Sequence, residues 1–133
     1  MIRQALTLDI RHDKAGSGAY GAPRGSRTHC GIDYHCTPGE PVLSPVAGEV
    51  TKLGYPYGDD LTWRYVQITD EKGENHRLFY VEPAVALGQV VNVGEAIAIA
   101  QDISERYPDQ GMLPHVHYEI KTAGGEFRNP EKA

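Results

Sequence analysis

The sequence predicts an all-β domain of antiparallel strands, and three features carry that expectation. Its 133 residues include 15 Gly and 9 Pro, well above the roughly 12% of average usage, so turns are frequent. Short runs rich in Val, Ile and Tyr recur between Gly, Pro, Asn and Asp, as strands joined by tight connections do. One Gly-Val pattern occurs in two related forms, GEPVLSPVAGEV over 39–50 and LGQVVNVGEAIAIA over 87–100. Both set Gly at turns between short Val-rich strands, as in folded-over β layers whose chain reverses every few residues.

Along the chain, Leu6, Leu8 and Ile10 alternate with polar residues, which suits a half-buried first strand. Residues 15–27, AGSGAYGAPRGSR, read as a long loop, and loops of that length are usually functional. Strands follow at 31–34, 40–43, 48–53, 65–69, 77–81, 89–91, 96–100 and 115–121. YPYGDDLTWRY over 55–65 forms a hairpin insertion whose Tyr55, Tyr57 and Trp63 either flank a cleft or cover the edge of the core. The one expected helical turn lies near 102–107.

Lys and Arg number 13 against 18 Asp and Glu, a net charge of -5. No basic surface is available to neutralise phosphates, so neither nucleic acid nor an anionic membrane is an expected partner. No run approaches the roughly 20 apolar residues of a spanning helix, and MIRQALTLDIRHD holds no continuous apolar stretch of a secretion signal. The expectation is a single domain over 1–133, monomeric, with no export signal of its own. Cys30 and Cys36 would lie roughly 20 Å apart on an extended strand, beyond disulfide reach, and read as free thiols.

Six histidines stand at 12, 29, 35, 76, 115 and 117, and two local spacings suit a metal: His29-x-x-x-Asp33 and His115-x-His117. On a strand, residues two apart project from one face about 6.6 Å apart. His115 and His117 therefore address the same site, one as ligand and the other toward a bound water. His29 and Asp33 would be roughly 13 Å apart on a straight strand and meet at one ion only if the chain bends, for which Gly31 provides a place. Two imidazoles and one carboxylate fit zinc and leave a fourth tetrahedral position open, the arrangement of a catalytic site.

The order of the pieces is more specific than any one of them. H-x-x-x-D at 29–33, G-x-P-V-x-x-P-x-x-G-x-V at 39–50, a Y-x-x strand at 80–82, G-x-x-V-x-x-G-x-x-I at 88–97 and H-x-H at 115–117 follow in sequence. Over about 18–119 the chain resembles the lysostaphin-like (LytM-type) zinc endopeptidases, which cut peptide cross-links of bacterial cell walls. The resemblance implies antiparallel sheets in a folded-over barrel or sandwich, a duplicated hybrid motif, with long loops around a groove. It implies zinc held by His29, Asp33 and His117, no further cofactor, and His115 in the catalytic position facing water and substrate carbonyl. G-x-Y-x-A-x-R-x-x-R-x-H-x-G-x-D over 18–33, F-Y-x-x-P over 79–83 and Tyr107-Pro108 are similar to one branch of that family. The branch holds phage proteins and the vertebrate leukocyte cell-derived chemotaxin, a signalling protein regarded as a non-peptidase that keeps the zinc.

Active members of the family carry a second catalytic histidine two residues after the strand tyrosine, where this chain has Glu82. A carboxylate beside a zinc-bound water acts as general base in the H-E-x-x-H peptidases, which makes Glu82 a catalytic candidate. The alternative is a solvated Glu before Pro83. His76, on the face of Tyr80 and Glu82 if the strand is regular, either replaces the missing histidine or stands exposed. His35 either bonds Asp33 or lies at the surface, and Arg24 and Arg27 either hold a substrate carboxylate or serve solubility. His12 has no assigned role. The expected function is zinc-dependent hydrolysis of peptidoglycan peptides at the cell wall or periplasm, by a phage lysin or virion-associated enzyme. A non-catalytic zinc-containing recognition domain of the same fold is the alternative.

Overall fold

Alternation of side chains along two neighbouring strands decides where the polar residues meet. The computed structural model describes residues 10–13, 16–24 and 27–130, with backbone alone at 24, 27 and 28. Leu6 and Leu8 of the expected first strand lie outside them; Ile10 forms an isolated bridge to Tyr34. The segment expected as one loop folds in part as two small hairpins. β1 (His12–Asp13) pairs with β2 (Gly16–Ser17), and β3 (Pro23–Arg24) pairs with β4 (Arg27–Thr28).

Then come β5 (Ile32–His35), β6 (Pro41–Leu43), β7 (Gly48–Gly54), β8 (Tyr65–Thr69), β9 (Asn75–Phe79), β10 (Val81–Pro83), β11 (Val90–Val91), β12 (Ala96–Ala100), β13 (His115–Lys121) and β14 (Phe127–Arg128). The helical turn is a single stretch of 3-10 helix at Ile103–Arg106, opened by Asp102, whose side chain accepts from the Ser104 N–H. The larger sheet runs β11-β7-β8-β9-β13, with β5 and β14 both pairing the far edge of β13; the smaller runs β10-β12-β6. Every pairing is antiparallel.

Val42, Val81, Ile97 and Ala100 of the small sheet pack in one buried cluster with Ile32, Tyr34, Val66, Leu78, Val116, Tyr118 and Ile120 of the large one. On β5 and β13 these core residues alternate with Asp33, His115, His117 and Glu119. A period of two places that second set on the opposite face.

The strand expected over 77–81 is two strands in different sheets. Tyr80, with φ of 72°, occupies the left-handed region, which a bulky side chain adopts at a cost of about 1–3 kcal/mol. Backbone bonds hold the junction: the Tyr80 and Val81 N–H groups donate to the Arg64 carbonyl at 2.8 and 3.2 Å, and the Gln101 N–H to that of Tyr80 at 2.9 Å. β9 thus stays in the large sheet, while β10 crosses to pair Glu82 with Ile99 of β12.

Candidate metal centre

Strand register brings the ligand candidates together. His117 of β13 stands directly across from Asp33 of β5 on one side and from Phe79 of β9 on the other. His29 enters from the bend that precedes β5. Its Nε2 lies 3.3 Å from Asp33 Oδ1 and 3.1 Å from His117 Nδ1, and that Nδ1 lies 2.9 Å from the same Asp33 oxygen. Zinc bound tetrahedrally through N and O at about 2.0–2.1 Å spaces its ligand atoms roughly 3.3–3.4 Å apart, so this slightly tighter triangle fits the ion with a small outward shift of its atoms.

The outer nitrogen of each imidazole is occupied. His29 Nδ1–H donates to the Ala19 carbonyl at 3.1 Å, and His117 Nε2–H donates to Glu119 Oε1 at 2.8 Å. Each ring therefore turns its other nitrogen toward Asp33. Burial raises the Asp33 carboxyl, but hydrogen bonds from His117 and His29 outweigh it and hold the group well below the usual carboxylate range. Burial pulls His117 down, yet its bonds to Asp33, Cys30 and Glu119 leave it well above an ordinary histidine.

Gly31 supplies the expected bend for a different reason from the one expected. A Cβ there would sit 2.5 Å from the Tyr118 carbonyl oxygen and within 2.8 Å of the His117 ring, so what it provides is close approach.

His115 is buried beside the triangle, with Nε2 3.6 Å from Asp33 Oδ2. Its Nδ1–H donates to the Leu113 carbonyl at 2.9 Å, which leaves Nε2 as the acceptor. Burial lowers its pKa, with the Asp33 charge opposing, and favours the neutral ring. These groups line a cavity of about 570 Å³, walled on its other side by Tyr57, Tyr80 and Tyr107. The Tyr57 and Tyr107 hydroxyls are 2.8 Å apart, Tyr57 donates to Tyr80 at 3.4 Å, and the Tyr80 ring meets His115 edge-on at 5.5 Å.

Glu82 is not among these residues. Because the left-handed turn at Tyr80 interrupts the strand, Glu82 points out from the small sheet, 62% exposed and 3.9 Å from the Arg64 guanidinium. The general-base role is withdrawn on that geometry. His76 follows neither alternative: it is buried on the core face, bonded to Asp70 at 2.9 Å and the Tyr118 hydroxyl at 2.8 Å. His35 is exposed, so it takes the surface alternative, and His12 is exposed as well. Of the aromatic insertion, Tyr57 reaches the cavity, Trp63 is buried with its N–H on Asp60, and Tyr55 lies under Arg64. The side chains of Arg24 and Arg27 lie outside the described residues.

Sequence reasoning missed Arg11, whose guanidinium reaches Asp33 Oδ2 at 3.2 Å, and Glu119. Glu119 carried a usable signal, since it shares the alternating face of His115 and His117. Arg11 belongs to no motif and carried none.

A donor set of two nitrogens and one oxygen at the floor of an open groove is the ligand chemistry of a catalytic zinc site. The chain belongs to Peptidase family M23, whose family model matches residues 27–130. It is 29% identical to leukocyte cell-derived chemotaxin-2 of Mus musculus over 107 residues, 80% of this chain and 69% of that protein. Its fold is similar to that of the catalytic domain of the antimicrobial peptidase lysostaphin from Staphylococcus simulans. There the TM-score is 0.72 at 16% identity, covering 99% of this chain and 96% of that one. A zinc containing peptidase from Vibrio cholerae gives a TM-score of 0.65 at 26% identity, covering 95% of this chain but only 38% of that longer one. The all-β, lysostaphin-like architecture expected from the motifs is thereby borne out.

Proposed function

We propose that the chain is a zinc-dependent endopeptidase acting on the peptides of bacterial peptidoglycan. The observation that carries this reading is the convergence of His29 Nε2, Asp33 Oδ1 and His117 Nδ1 at the floor of a cavity of peptide dimensions. Zinc bound by these residues supplies Lewis acidity toward a carbonyl oxygen and toward water. His115, neutral and with Nε2 free to accept, takes the proton of the attacking water and returns it to the leaving amine. The Tyr80 hydroxyl, which burial keeps protonated, donates to the carbonyl oxygen as it gains charge. Arg11 holds Asp33 from behind and keeps its other oxygen toward the two imidazoles.

A recognition domain is the second reading, and the outward position of Glu82 favours it, because no second acid–base group fills that slot. Incubating the zinc-loaded protein with purified peptidoglycan from several species, and identifying new amine ends by mass spectrometry, separates the two. New ends that disappear in His115→Ala establish the enzyme and report the bond cut. Retention on peptidoglycan without new ends refutes catalysis and leaves recognition.

A further inference from the structure

We infer that Glu119 is a positioning residue for the metal centre, anchored by Arg77 and fixing which nitrogen of His117 faces the ion; this inference rests on the metal reading above. Glu119 lies two residues beyond His117 on the same face of β13, with 6% of its surface exposed. A carboxylate that far from water is costly to bury unless both oxygens are satisfied. Here Oε1 accepts His117 Nε2–H at 2.8 Å and the Cys30 thiol at 3.6 Å. Oε2 accepts Arg77 Nη1 at 3.2 Å.

The strand register builds this support in advance. Glu119 pairs across to Arg77 of β9, and Arg77 pairs across to Gln67 of β8. Arg77 Nε donates to Gln67 Oε1 at 2.8 Å, and the Gln67 amide donates to Thr51 at 3.0 Å. One polar rung thus crosses four strands and ends on the imidazole. An ionised carboxylate only accepts, so Nε2 of His117 carries a proton toward Glu119, and with zinc bound it is Nδ1 that offers its lone pair beside Asp33 and His29. Phe79, edge-on to the same ring at 5.2 Å, restricts its tilt, and the missing Cβ of Gly31 leaves the room that the ring occupies.

The test is zinc affinity by competition with a chromophoric chelator, measured for wild type and Glu119→Gln at one pH. Loss of the carboxylate is expected to weaken zinc about 10- to 100-fold, while the zinc-free variant keeps the wild-type circular dichroism spectrum. An affinity within twofold of wild type overturns the inference, and a wild-type chain that takes up no zinc overturns the metal reading beneath it. Should the variant fail to fold, zinc-loaded wild type with ¹⁵N-labelled histidine decides: a proton on Nε2 of His117 supports the inference, and one on Nδ1 refutes it.

Discussion

His115 and His117 share a strand face and sit two residues apart, yet their surroundings give them opposite chemistry. His117 lies between the carboxylates of Asp33 and Glu119, which hold a positive charge or a cation at that ring. His115 is tied to a backbone carbonyl and buried, so it stays neutral and able to take a proton. Two substitutions separate the roles. His117→Ala should abolish stoichiometric zinc at a free-metal concentration that saturates wild type, as read by equilibrium dialysis. His115→Ala should keep the zinc and lower turnover by roughly 100-fold or more, the usual effect of deleting one proton-transfer group. Full zinc on His117→Ala, or undiminished turnover in His115→Ala, would remove the corresponding assignment.

At the scale of elements, the period-two patterns were legible: β8, β12 and β13 occupy the predicted ranges, and the other strands predicted from residue 31 onward, except 77–81, differ by one or two residues. The break at Tyr80 was not, because nothing in Phe-Tyr-Val-Glu marks a left-handed residue; backbone bonds to Arg64 and Gln101, distant in sequence, impose it. Glu82 was placed at the site from the family's Y-x-H slot, and past that break it points away from the site instead. The hairpins over 12–28 were hidden by a composition that reads as loop. The Gly31 bend was read correctly in place and wrongly in cause, and the difference is testable. The φ of Gly31 is not among the positive ones, so backbone conformation alone would tolerate alanine there. The contacts at 2.5–2.8 Å instead require Tyr118 or His117 to move. Gly31→Ala should therefore destabilise the protein by about 1–3 kcal/mol in urea unfolding and weaken zinc binding. Wild-type values for both would show that the ring has room.

Across the whole molecule, the large sheet carries chemistry on one face and core on the other, and one histidine is buried on the core side. His76 shows how that packing responds to acid. Burial holds its pKa below the ordinary 6.5, with the Asp70 hydrogen bond opposing, so the folded ring is neutral. It donates from Nε2 to Asp70 and accepts the Tyr118 hydroxyl at Nδ1. The unfolded chain takes up this proton below about pH 6.5, the folded chain only at lower pH. Between those two values the unfolded state binds more protons, so stability falls as pH falls, by at most about 1.4 kcal/mol per pH unit. Asp70, also lowered, adds its own loss only as the pH falls toward and below the ordinary aspartate value of 3.8, a separate window. Zinc-free protein has titrating groups at the metal centre too, but these lie on the opposite face and are common to wild type and His76→Gln. Urea unfolding of both proteins at pH 7.5, 6 and 5 should show wild type losing stability on acidification by an increment that His76→Gln lacks. Equal losses in the two proteins would mean that His76 takes up its proton in the folded state as easily as in the unfolded one, and that the core face does not hold it neutral.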